Sequence, residues 1–170
     1  MHSKTMTQRV VTAALLLGAM ASGHASTRSS STLVSATVVR TCSVRAQALA
    51  FGRYTPAAGA VNATSTLSVG CTRGTAFEVS ISAGKGPGAT VASRAMVNAS
   101  GALAYNLYSS AAHTSIVGDG THGTVRLTGA GTGVASPRRL TVYGVLPDSA
   151  ANKVARPGAY SDTLTVSVFY

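Results

Sequence analysis

The chain has 170 residues, 45% of them hydrophobic and 11% charged, and a formal net charge of +10. That length suits one domain with a sizeable core, and 18 glycines among abundant Thr, Ser and Val point to many short strands and turns. The basic residues are scattered, with Arg138 and Arg139 the one adjacent pair, so no basic stripe argues for nucleic acid as a partner.

The first residues have the three regions of a secretory signal. Lys4 and Arg9 make a basic start, residues 10–20 are apolar, and Gly23-His24-Ala25 is a small-residue cleavage triplet, with Ala19-Met20-Ala21 as its rival. The apolar run is too short to span a bilayer. The expected leader is therefore residues 1–25, followed by an exported protein with no membrane span. Losing Lys4 and Arg9 lowers the formal charge from +10 to +8. Scattered charge of that kind reads as a solvated surface with a general attraction to anionic polymers.

After a polar lead at 26–31, residues 32–39 alternate as a strand, with Val34, Ala36 and Val38 on one parity. Residues 42–49 give a second short strand and residues 55–59 a loop. Residues 63–72 alternate through Leu67, Val69 and Cys71, and residues 76–83 through Phe77, Val79 and Ile81. Gly74 between these two runs predicts a hairpin. Further short strands are expected at 94–97, 102–108, 124–128 and 138–146, separated by a turn at 98–101, a polar loop at 113–123 and a Gly-rich loop at 129–137. Residues 147–158 form a long connection.

The last stretch, 158–170, is the most regular. Leu164, Val166, Val168 and Tyr170 fall on one parity and Thr163, Thr165, Ser167 and Phe169 on the other. A strand of that pattern is expected inside a sheet, paired on both sides. Strands and turns at this spacing predict an all-β sandwich or barrel.

Cys42 and Cys71 are the two cysteines. An even count in an exported chain reads as one disulfide, and two thiols fall short of a metal's four ligands. His113, Asp119 and His122 share a loop with many serines nearby, but no nucleophile-elbow sequence accompanies them. Their spacings of six and three match no standard zinc pattern. Asp119 between two glycines is a turn residue, and residues 129–133 fit neither phosphate-binding glycine motif. No catalytic residue, metal or cofactor is expected. Asn62-Ala63-Thr64 and Asn98-Ala99-Ser100 match the glycosylation sequon as chance triplets in a Ser/Thr-rich chain.

Several ordered pieces carry a resemblance. They are Cys42, Phe51-Gly52-x-Tyr54, Gly70-Cys71-Thr72, Arg94-Ala95-Met96 and Leu103-x-Tyr105-x-Leu107-Tyr108. Gly118-Asp119-Gly120, Tyr143-Gly144, Pro147 and Gly158-x-Tyr160-x-Asp162 follow. Together, in this order, the chain resembles the spore coat protein U domain family, which includes archaic chaperone–usher pilus subunits. The resemblance implies an immunoglobulin-like β-sandwich that lacks its last strand and is completed by a donor strand. It implies that the strands of Cys42 and Cys71 lie side by side. It also implies a periplasmic chaperone, an outer-membrane usher and neighbouring subunits as partners. Residues 26–39 would then be the donor extension, presenting Val34, Ala36 and Val38, and 40–170 the domain. Leu164, Val166, Val168 and Tyr170 would line the acceptor groove.

The expected function is a secreted structural subunit of a surface fibre serving adhesion or biofilm, reached through the periplasm. The donor face is small-featured, which leaves a coat or matrix protein as the alternative, and a monomeric module for anionic glycans as another.

Overall fold

The computed structural model describes Gly23 and residues 25–170; apart from Gly23 and Ala25, the expected leader lies outside the described residues. The chain divides into residues 1–36 and 37–170. The described residues of the first unit contain no helix or strand. The alternating run at 32–39 finds no backbone partner, and its large apolar side chains Leu33, Val34, Val38 and Val39 are exposed. The pattern is a strand's, but a strand is defined by a neighbour to bond to.

The second unit contains β1 (Cys42–Ala46), β2 (Val61–Cys71), β3 (Ala76–Ile81), β4 (Arg94–Asn98) and β5 (Gly101–Tyr108). β6 (Leu127–Ala130), β7 (Arg138–Leu146), the short helix α1 (Ala150–Lys153) and β8 (Val166–Phe169) complete it. One antiparallel sheet runs β1-β2-β7-β5-β4 and the other β6-β3-β8. The two inner faces supply the core: Leu67, Val69 and Cys71 from β2, Phe77, Val79 and Ile81 from β3, Leu103, Tyr105 and Leu107 from β5, and Val142 and Leu146 from β7. Each set alternates at a spacing of two, as a half-buried strand requires.

The hairpin expected across Gly74 does not form: β2 and β3 lie in different sheets. β2 is already bonded to β1 on one side and β7 on the other, so it offers β3 no free edge. The chain instead turns a tight corner, closed by Thr75 N–H to Thr72 O at 3.0 Å, with Gly74 at φ 78°. That conformation suits a residue without a Cβ.

The sixth strand also shifts, from 124–128 to Leu127–Ala130. Gly129, read as part of a loop, pairs with Phe77, and a Cβ there would meet the Phe77 ring at 2.6 Å. An aromatic ring lying over the strand sets glycine here, where local preference argues for a loop.

The C-terminal strand is shorter and more exposed than its pattern suggested. Regular pairing covers β8 alone, with β3 on one side, and β8 is the edge of its sheet. Just before it Thr165 still bonds to Ser82, but farther back Ser161 exchanges backbone bonds of 2.9 and 3.1 Å with Val97.

Cys42 and Cys71 are directly opposite in the β1–β2 ladder and are joined by a disulfide. In the long connection after β7, Ser149 caps α1 and positions Asn152. The buried Asn152 amide accepts from Ala104 N–H at 2.8 Å and donates to Ala104 O at 2.9 Å. It thereby satisfies the β5 backbone where β7 no longer reaches, since the β5–β7 ladder covers only residues 106–108 of β5.

Candidate functional site

A cleft of about 990 Å³ opens between the two sheets on the side of β1 and β8. Its floor is Leu67, Val142 and Leu146, with Ile81, Met96, Leu103, Tyr105 and Leu107. These are the inward residues of five different strands. One wall is the segment that follows β1, including Leu49 and Phe51; the other is the segment 155–164 that leads into Val166 of β8. Arg156 and Asp162 are its charged members.

The first wall arises because β1 stops pairing early. Gln47 N–H reaches Thr66 O at 3.1 Å and Ser65 Oγ donates to Gln47 O at 2.7 Å. Beyond that point Leu49 and Phe51 drop onto β7 at Gly144, where a Cβ would meet them at 2.9 and 3.0 Å. The Phe51 ring then stands edge-on to Tyr105, centroids 5.8 Å apart. Three separate sequence pieces, Phe51-Gly52, Tyr143-Gly144 and Leu103-x-Tyr105, thus meet at one spot.

Asp148 fastens the outer end of this wall. It accepts from Tyr54 Oη at 2.6 Å, Ala57 N–H at 3.0 Å and Gly59 N–H at 3.3 Å. The Tyr54 hydrogen bond, with the two amides and Lys153 Nζ at 3.6 Å, holds the Asp148 carboxyl below the usual carboxylate range. Burial and the same carboxylate push the Tyr54 phenol up to about 12.

Asp162 fastens the second wall. Its carboxylate accepts from Tyr105 Oη at 2.8 Å, Lys85 N–H at 2.8 Å and Thr163 N–H at 2.7 Å. Gly84, at φ 91°, makes room for it: a Cβ there would overlap the carboxylate. Burial, then the Asp162 contact, raises the Tyr105 pKa. Behind Tyr105 lies Arg94, with no exposed surface. Its guanidinium donates to the carbonyls of Ser82, Val91, Ile81 and Val117 at 2.8–2.9 Å. Burial lowers its pKa, yet an arginine of this kind stays charged. Four carbonyls stand in place of a carboxylate.

Of the four residues expected on the acceptor strand, Leu164 and Val166 line the cleft. Val168 packs on the core without lining it, and Tyr170 is exposed beside Phe77 and Gly129. The resemblance, read with parity, implies all four on one groove, whereas the cleft ends at Val166 and continues instead back to Ala155. The sequence reading missed the wall at Leu49 and Phe51 and the floor at Met96, Leu103 and Tyr105. Their signal was present as inward parity, but parity does not separate a covered core from the floor of a cleft.

The loop residues weighed for catalysis or metal do structural work. Asp119 Oδ1 accepts from Thr121 N–H at 2.9 Å and Thr121 Oγ1 at 2.6 Å, which lowers its pKa and closes a turn. His122 Nδ1 is 2.8 Å from Thr121 Oγ1, and the His113 ring lies against Tyr108 at 5.2 Å. Among the described residues no three His, Cys, Asp or Glu side chains are grouped to hold a metal, and no helix is long and apolar enough to cross a membrane.

A model of the Spore Coat Protein U domain matches residues 28–167. Among solved structures, the chain is similar to one from the CsuC–CsuE chaperone–tip adhesion subunit pre-assembly complex of the archaic chaperone–usher Csu pili of Acinetobacter baumannii. The identity is 22% and the TM-score 0.54, over 79% of this chain and 41% of that one. The chain therefore spans less than half of that neighbour's length, and the likeness is one of fold. No curated protein matches. The matched residues, the two-sheet sandwich and the meeting of the ordered motifs around one cleft lead to one assignment: the chain belongs to the Spore Coat Protein U domain family.

Proposed function

We propose that the protein is a pilin-like structural subunit whose cleft receives a β-strand from another chain. The observation that carries this reading is the cleft itself. It is apolar on its floor, it lies beside the edge strand β8, and the family's sandwich fold surrounds it. A strand laid there would bond to an exposed sheet edge through its backbone and place alternate side chains on the floor, the logic of β-augmentation.

The donor is the segment 26–39 of a neighbouring copy, presenting Val34, Ala36 and Val38. These residues fit the role because their run has a strand's alternation and no strand partner. In transit the cleft is occupied by a periplasmic chaperone; the name of the solved neighbour describes a chaperone–tip adhesion subunit pre-assembly complex for that protein. An outer-membrane usher then exchanges the chaperone for the next subunit. The leader 1–25 directs export, and the product is a surface fibre that serves adhesion or biofilm formation.

The deciding experiment expresses the full chain and a form lacking residues 26–39, each together with a chaperone and usher of the archaic chaperone–usher type. The full chain should give an unboiled ladder of polymers, and the shortened form should be recovered with the chaperone as a single subunit. Normal ladders from the shortened form would refute the donor assignment. A stable full-length monomer that never engages a chaperone would point to a monomeric binding module instead.

A further inference from the structure

The outer face of the five-stranded sheet, opposite the cleft, has an arrangement that strand exchange does not use. The ladders put Arg45, Ser68 and Arg139 in one row across β1, β2 and β7. Val69 beside Ser68 is fully buried, so this row faces outwards. The arginines are exposed and sit two strands apart, roughly 10 Å at the backbone. A second row on the same face aligns Thr64 with the half-buried Tyr143 and Tyr108, the latter beside the His113 ring. Between the rows lie Thr66 and Thr141, again opposite one another.

The charge on this face is of one sign. The chain has four acidic residues, and none lies on β1, β2, β4, β5 or β7. Glu78, on the other sheet, is neutralised by Arg126 at 2.9 Å, and Arg126 also stacks on Phe169. Among the described residues neither the Arg45 nor the Arg139 guanidinium is paired with a carboxylate. Two unpaired guanidinium forks over a bed of hydroxyls, next to two phenol rings, complement a chain that carries both anionic groups and sugar rings.

We propose that this face binds an acidic polysaccharide, with Arg45 and Arg139 on its carboxylate or sulfate groups and Tyr143 and Tyr108 against its rings. Guanidinium matches such anions through paired donors, and an aromatic ring offers an apolar surface to a sugar beside a polar hydroxyl. Two isolated charges without a continuous basic track favour a sparsely charged polysaccharide over nucleic acid, whose charges are closely spaced.

The test uses the exported full-length protein with immobilised polygalacturonate, chondroitin sulfate, neutral dextran and duplex DNA. Binding to at least one acidic polysaccharide, weakened by added salt, is expected, with none to neutral dextran and weaker binding to DNA. Arg45→Ser with Arg139→Ser should weaken it about ten-fold at low salt, the order expected for two surface charge contacts. Arg73→Ser with Lys85→Ser removes the same charge elsewhere and should change it less than about two-fold on the same reasoning. Retention of the Cys42–Cys71 bond in both pairs reports that each has folded. Equal losses in the two pairs, tighter binding to DNA, or no binding to either acidic polysaccharide would overturn the proposal. None of these outcomes depends on whether the cleft accepts a donor strand.

Discussion

Arg94 is the side chain on which the region behind the cleft depends most. It joins the end of β3, the loop at Val91 and the segment at Val117 through one planar group. Arg94→Ala would leave buried carbonyls without donors, each costing about 1–3 kcal/mol. The variant should lose at least about 3 kcal/mol on that basis, read from urea unfolding midpoints of the chaperone-free protein. Arg94→Lys should rescue little, because an ammonium cannot reproduce the fork.

Asp148 gives a pH signature. Its folded pKa is depressed by the Tyr54 hydrogen bond, so its stabilising effect is present above the unfolded value of about 4 and fades as pH falls through the lower folded value. The stability difference between wild type and Asp148→Asn should accordingly be largest near neutrality and vanish in strong acid. A difference independent of pH would show that the carboxylate's charge is not what holds the wall.

Among the elements, β1 and β2 are fixed to each other covalently as well as through their ladder. Cys42→Ser with Cys71→Ser should destabilise the domain by about 2–5 kcal/mol, the usual cost of removing a native disulfide from a small exported domain. The ladder itself should persist without the bond. Intact mass before and after reduction, followed by alkylation, measures the bond directly in the native protein.

The N-terminal segment makes the complementary case. Val38 is 83% exposed, so Val38→Asp should leave the subunit's own stability unchanged. In the proposed donor role the same aspartate would be buried unpaired, at a cost of several kcal/mol. Polymer length on unboiled gels should fall while chaperone-bound yield stays constant; a fall in both would place Val38 in its own domain's folding.

For the whole molecule, the open cleft implies a fold whose stability rises when the gap is filled. A synthetic peptide of residues 30–40 added to chaperone-free subunit should raise its melting temperature in proportion to the logarithm of peptide concentration, as linkage requires. The same peptide with Asp at position 38 should not. Export itself is tested by N-terminal sequencing of periplasmic material, which should begin at Ser26; retention of Met1 would refute the proposed leader.

The strands, their inward faces and the pairing of the two cysteines were legible from period and count, because a half-buried strand must alternate. Leu67, Val69 and Cys71 are buried as their alternation requires, and so are Phe77, Val79 and Ile81. Apart from the β1–β2 neighbours that the resemblance implied, which strand lies beside which was not legible. Gly74 looks like a hairpin turn until β1 and β7 are seen to occupy both edges of β2. Gly129 looks like a loop until Phe77 lies over it. The regularity of residues 158–170 suggested two sheet partners; within the chain β8 has one, β3, while Ser161 and Asp162 are tied to Val97 and Tyr105. Local periodicity records which face of a strand avoids water. The identity of its neighbours depends on contacts between residues far apart in the chain, and the cleft exists only through those contacts.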